Sequence, residues 1–281
     1  MGQSNSAQNV ILEGHCEKQY EPVKEKLKSM LTNGLEENLQ LCVFVKGKCV
    51  IDLYGSAIGD TNYNADKIQN IFSSGKSLES VALALLYDKG LFQYDDKISK
   101  YWPEFAQSGK EDILISDVCR HRSGLANFSE APSIKDTWTE NIKENKLGSL
   151  IEKLTPYYPN LEKHGSKNEY HAITRGWITN EIVRRIDPQK RTIAEIFKDE
   201  VQIDGIHFTV DDNAAKKLVP QTAIGLGYTI GQSLLPQWAG RKIESNIFSY
   251  LRQIGNSFFH KILNTLPINT IFRILCLSIN W

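Results

Sequence analysis

The chain has 281 residues, 41% of them hydrophobic and 23% charged, which is enough for a sizeable buried core in one or two domains. Lys plus Arg equals Asp plus Glu at 33 each, so there is no net field to gather nucleic acid, and a nucleic-acid partner is not expected. The five cysteines (Cys16, Cys42, Cys49, Cys119, Cys276) are widely spaced without a Cys-x-x-Cys pair, and read as reduced thiols.

The polar start Met1 to Asn9 precedes no long apolar run, and the first arginine is Arg120, so neither a secretory signal nor an Arg-rich transit peptide is read and a cytoplasmic location is expected. Met1-Gly2-Gln3-Ser4-Asn5-Ser6 fits the acceptor pattern for N-myristoylation at Gly2. One acyl chain predicts a reversible, peripheral membrane contact only. Residues 1–11 are therefore expected to be a flexible N-terminus, residues 12–242 a main domain, and residues 243–281 a divergent tail.

A helix is predicted over Glu21 to Leu31, with Val23, Leu27, Met30 and Leu31 on one side. A hairpin follows, Leu41, Val43 and Val45 before a turn at Lys46-Gly47-Lys48 and Val50, Ile51, Leu53 and Tyr54 after it. Cys42 and Cys49 flank that turn, and no two-residue turn register sets them opposite each other. From Ser73 to Lys89, Leu78, Val81, Ala82, Leu85 and Leu86 recur at helical spacing and Gly90 stands at the C-terminal cap. Helices are also expected over Ala172 to Arg185 and Thr192 to Val201, with only short helical pieces between Asn127 and Asn168. Strands first and helices afterwards predict an α+β fold. The segment Ile243 to Trp281 is apolar but interrupted by Arg252, Lys261, Pro267 and Arg273, which does not fit a membrane span.

Chemistry concentrates at Ser73-Ser74-Gly75-Lys76, the one Ser-x-x-Lys match in the chain. Three-residue spacing at a helix start sets the hydroxyl and the amine on one face. A lysine kept neutral could take the serine proton, and the helix N-terminus adds backbone N–H donors toward a developing oxyanion. The bland alternative is a polar pair that caps the helix. Gly75-Lys76-Ser77 ends like a phosphate loop, but the position of its first glycine is Asn70 and Ile71-Phe72 are too bulky for a phosphate cradle. No Gly-x-Ser-x-Gly elbow and no His-Glu-x-x-His occurs, so neither an α/β-hydrolase nor a metal-dependent hydrolase is read, and no cofactor or metal is expected. His121, His164 and His171 read as structural, Asp95-Asp96 as a helix cap, and Tyr101-Trp102 and Trp177 as core aromatics.

The run Ile71-Phe72-Ser73-Ser74-Gly75-Lys76-Ser77, then Leu85 to Leu91, then Tyr94 to Phe105 resembles the beta-lactamase-related serine hydrolases, closest to their carboxylesterase branch. His121-Arg122-Ser123-Gly124-Leu125 is similar to that family's His-x-Ser-Gly-Leu segment, and Glu169-Tyr170-His171-Ala172 to its second catalytic motif. The resemblance spans about residues 12 to 202, and several ordered motifs are more specific than any one. It implies a beta-lactamase/transpeptidase-like fold, an acyl-enzyme on Ser73, Lys76 as base, and Tyr170 relaying or accepting the proton. Ala172 stands where the wider superfamily has Asn, which favours small esters or amides as substrates over beta-lactams. The family's third motif, Lys or His, a small residue, then Gly, is absent after Tyr170, and Lys163-His164-Gly165 precedes that tyrosine. The resemblance thus also implies missing closing strands that would normally pair with the hairpin, as in a truncated product. A catalytically inactive scaffold or truncated isoform with a binding role is the competing expectation.

Overall fold

The structure, a computed structural model, describes residues 10–129, 132–158, 161–162 and 165–219. The expectations on Gly2, on Lys163 and His164, and on the tail 243–281 lie outside the described residues. The described chain forms two compact units, one of residues 10–69 with 216–219, the other of residues 70–215.

The first unit holds a three-stranded antiparallel sheet in the order β1-β3-β2, with β1 Ile11–Cys16, β2 Asn38–Val45 and β3 Lys48–Ser56, and the helix α1 Glu21–Thr32 between β1 and β2. Lys46 and Gly47 both have positive φ, 50° and 79°, the backbone that a tight hairpin turn needs to follow the strand twist. A bulge at Val43/Phe44 leaves Val50 as an extra residue of β3, which lets the consecutive Val50 and Ile51 both be buried instead of alternating. Cys42 pairs with Asp52 and Cys49 with Phe44, so the cysteines are not opposite, as expected; the bulge nonetheless brings their free thiols to 3.9 Å.

The strand β1 is not foreseen by the sequence pattern. Its Gly14, at φ 112°, lies against the Asp52 backbone, where a Cβ would have no room, and Gly55 of β3 faces the Ile11 carbonyl in the same way. Gly14, which allows the close strand approach, also interrupts the alternation by which β1 would be recognised. Leu12 of β1 and Leu27 of α1 pack on the buried Ile51 and Leu53.

The second unit is helical: α2 Lys76–Asp88, α3 Ile115–Cys119, α4 Thr139–Lys143, α5 Lys146–Glu152, α6 Thr174–Ile186 and α7 Ile193–Ile196. The helix α2 ends as Gly90 requires, with φ +70°, its N–H donating to Tyr87 O and that of Leu91 to Leu86 O. Thr192 and Glu195 cap α7 reciprocally, and the expected helix to Val201 finishes as a wider turn over Phe197–Val201. The regular part of the second helix starts at Thr174, two residues later than the pattern predicts.

Nearly every residue of α6 is buried, polar ones included, so its apolar stripe understates its role. It is the central helix of this unit, with Ile178, Ile182 and Val183 in the same core as Ala82, Leu83 and Leu86 of α2. Its Glu181, wholly buried, is satisfied by Arg184 and Arg185 one turn on, and Arg185 also bonds Asn145 and stacks 3.7 Å over the Trp102 ring. Strands first and helices after them make the α+β class that the element order predicts.

Candidate active site

The site is built where the start of α2 meets the turn that leads into α6. Ser73 does not lie in the regular helix: Phe72–Gly75 form a tighter 3-10 turn, and α2 proper begins at Lys76. Phe72 adopts φ +45°, a strained value for an aromatic residue, and its N–H donates to Asn70 Oδ1 at 2.9 Å. This sharp entry sets Ser73 exposed on the surface while Lys76 is half-buried.

Lys76 Nζ lies 3.3 Å from Ser73 Oγ and donates to the Ala172 carbonyl at 2.6 Å. The three-residue spacing therefore does what the sequence predicts, and the third partner is a backbone oxygen rather than a side chain. The ammonium also sits 5.3 Å from the centre of the Tyr170 ring, inside the range of cation–π attraction. Tyr170, far along the chain from the Ser73–Lys76 pair, is thus brought beside the lysine.

His121 and His171 hold the tyrosine turn in place, as expected of structural histidines. His171, buried, donates from Nδ1 to the Glu169 carbonyl, which leaves Nε2 to accept from Ser123 Oγ at 2.8 Å and from the Leu125 N–H at 3.2 Å. Burial holds its pKa down, and the neutral ring is what those bonds require. His121 Nδ1 accepts the His171 N–H at 3.0 Å, and its ring lies 4.7 Å from that of Tyr170. Burial first, then the positive charge of Arg175 and smaller effects of His171 and Lys76, push His121 down to about 4. Gly124 is needed at this seam: its φ is +72°, and a Cβ there would fall 2.8 Å from the Tyr158 ring.

Sequence reasoning missed a charged pair just beneath. Glu79, one turn after Lys76, and Arg175, the second residue of α6, are 3% and 6% exposed, and their side chains approach to 3.3 Å. Two charged residues flanking Ser-x-x-Lys and the tyrosine motif were the available signal, but each alone reads as a solvated helix position.

What the arrangement can do is proton transfer from a serine hydroxyl to an adjacent amine, at a helix start that offers N–H donors to an anion. The beta-lactamase family model matches residues 27–219. The esterase/beta-lactamase LipL of Mycobacterium tuberculosis (strain ATCC 25618 / H37Rv) is 26% identical over 174 residues, covering 59% of this chain and 38% of that protein. The chain therefore spans well under half the length of this relative. Among solved structures, a family VIII carboxylesterase is similar at TM-score 0.63 and 23% identity, over 74% of this chain and 56% of that one. A penicillin-binding protein homolog from Caulobacter crescentus gives TM-score 0.64 and 21% identity, over 84% and 63%. These likenesses show the beta-lactamase/transpeptidase-like fold that the sequence motifs imply.

Proposed function

On the premise that the chain belongs to the beta-lactamase family, whose model spans most of it, we propose that it is a serine hydrolase acting on small esters or amides through an acyl-enzyme on Ser73. The observation that carries the reading is Lys76 Nζ at 3.3 Å from Ser73 Oγ, aimed by the Ala172 carbonyl at 2.6 Å. That LipL is described as an esterase/beta-lactamase supports the substrate class.

In this mechanism Ser73 Oγ attacks the substrate carbonyl carbon as neutral Lys76 takes its proton. The tetrahedral oxyanion is met by the Ser73 backbone N–H at the turn preceding α2. On collapse the leaving oxygen or nitrogen takes the proton back from the lysine, with the Tyr170 hydroxyl as relay. A water molecule, deprotonated by the same lysine, then attacks the acyl carbon, and as the bond to Ser73 Oγ breaks the lysine returns the proton to that oxygen and the acid leaves. The chain's own groups perform each step without a cofactor.

The test is intact mass after incubation with a fluorophosphonate or a reactive p-nitrophenyl ester. Wild type should gain one adduct and Ser73→Ala none, and Lys76→Ala should slow acylation by several orders of magnitude. The competing reading, an inactive scaffold with a binding role, rests on the absence of a Lys-x-Gly or His-x-Gly after Tyr170. Folded wild type that never acquires the adduct would decide for it.

A further inference from the structure

The mechanism above makes no use of the most deeply buried charges near the nucleophile. Glu79 lies on α2, three residues after Lys76 and so on the same face; Arg175 lies on α6, three residues after the Ala172 whose carbonyl holds Lys76. Arg175 Nη1 is 3.3 Å from Glu79 Oε2, and its Nη2 donates to Ser80 Oγ at 3.3 Å, so one guanidinium ties the start of α6 to α2. The pair is poorly satisfied for its depth. Glu79 Oε2 and Arg175 Nε have no hydrogen-bond partner among the described residues. Two buried charges left short of hydrogen bonds cost stability, and such a cost is characteristic of functional sites.

The groups that face this pair are few. Glu79 faces Arg175 from α6, Cys119 from α3 and Lys76 from its own helix, and Arg175 also faces His121 and His171. Burial pushes Glu79 up to about 7, against the pull of Arg175 and then Lys76, and pushes the Cys119 thiol up as well. The carboxyl thus exchanges its proton in the range where the enzyme would work.

We propose that Glu79 is a positioning residue for the Lys76 base, held in place by Arg175, and that its negative charge sets how tightly Lys76 keeps the proton it takes from Ser73. The inference rests on the hydrolase reading for its purpose. With Glu79 neutral, the negative charge facing Lys76 is gone and the free amine is favoured; with Glu79 ionised, the ammonium is retained. Coupling of this kind is reciprocal, so the effect of the lysine charge on the carboxyl equals the effect of the carboxyl charge on the lysine.

The reciprocal half is measurable without any activity. Infrared difference spectra across neutral pH follow the carboxylic-acid C=O stretch of Glu79, assigned by its loss in Glu79→Gln, or in Glu79→Gln/Arg175→Gln should the single variant not fold. In Lys76→Met, whose ammonium is gone, the Glu79 titration should move upward by roughly one pH unit. An unmoved titration overturns the proposal, whatever the protein hydrolyses.

Acylation by fluorophosphonate supplies the second readout. The rate of Glu79→Gln relative to wild type should be near one at pH 6, where Glu79 is neutral in both, and rise toward roughly tenfold by pH 8 to 9. A merely structural residue gives a ratio that does not change with pH, and that result also overturns the proposal. Wild type that acylates at no pH would instead sink the hydrolase reading, with the infrared titration still deciding on the pair.

Discussion

Replacing Glu79 by Gln should change how stability depends on pH, and the structure sets the sign and size. In the unfolded chain this carboxyl titrates near 4.5, whereas in the fold burial raises it to about 7. Between those values the native state binds the extra proton, so stability from this group is fully present below pH 4.5 and is lost as pH rises through 7. The difference of two and a half units corresponds to roughly 3 kcal/mol at 1.36 kcal/mol per unit. His121 acts in the same window with the opposite sign: held down to about 4 in the fold, it contributes stability that is lost as pH falls from 6.5 toward 4. Wild type should therefore look flatter than either group alone would make it. The assay is urea denaturation of wild type and Glu79→Gln at half-unit steps from pH 4.5 to 8. The difference, wild type minus variant, should fall by roughly 3 kcal/mol across the window and level off above pH 7. Two parallel curves would refute the reasoning, because they would mean that the buried carboxyl does not titrate there.

Three substitutions probe the helical unit that carries the site. Leu86→Ala removes a fully buried side chain from α2 and should cost about 2–5 kcal/mol in denaturant unfolding. Gly90→Ala forces a Cβ into φ +70° at the end of the same helix and should cost about 1 kcal/mol, read as a small drop in melting temperature. Glu181→Ala strands Arg184 and Arg185 without their buried partner and should cost about 3–5 kcal/mol; if thermal melting is unchanged, the buried network of α6 is not structural.

Much of this protein is decided by local pattern. The hairpin, the helix closed by Gly90 and the Ser73–Lys76 spacing depend on residues within a few positions of one another, so turn chemistry and periodicity suffice to read them. The strand β1 escaped because Gly14, required for close strand approach, carries no side chain, and the polar Glu13 and His15 beside it complete no apolar alternation. The bulge that brings Cys42 and Cys49 to 3.9 Å is likewise a product of strand pairing and the burial of Val50 and Ile51 together.

The sequence by itself determined the family and the meeting of the Ser73 hydroxyl with the Lys76 amine, because those rest on short spacings and ordered motifs. Only the tertiary structure decided what holds the amine: a main-chain carbonyl 96 residues away at Ala172, which any residue could have supplied and which no residue identity announces. The same is true of Glu79 with Arg175, whose charges look solvated on separate helices and become a buried pair only when α2 and α6 pack. Burial and long-range pairing arise from packing between distant segments, and there the meaning of a polar residue is set by its neighbours in space.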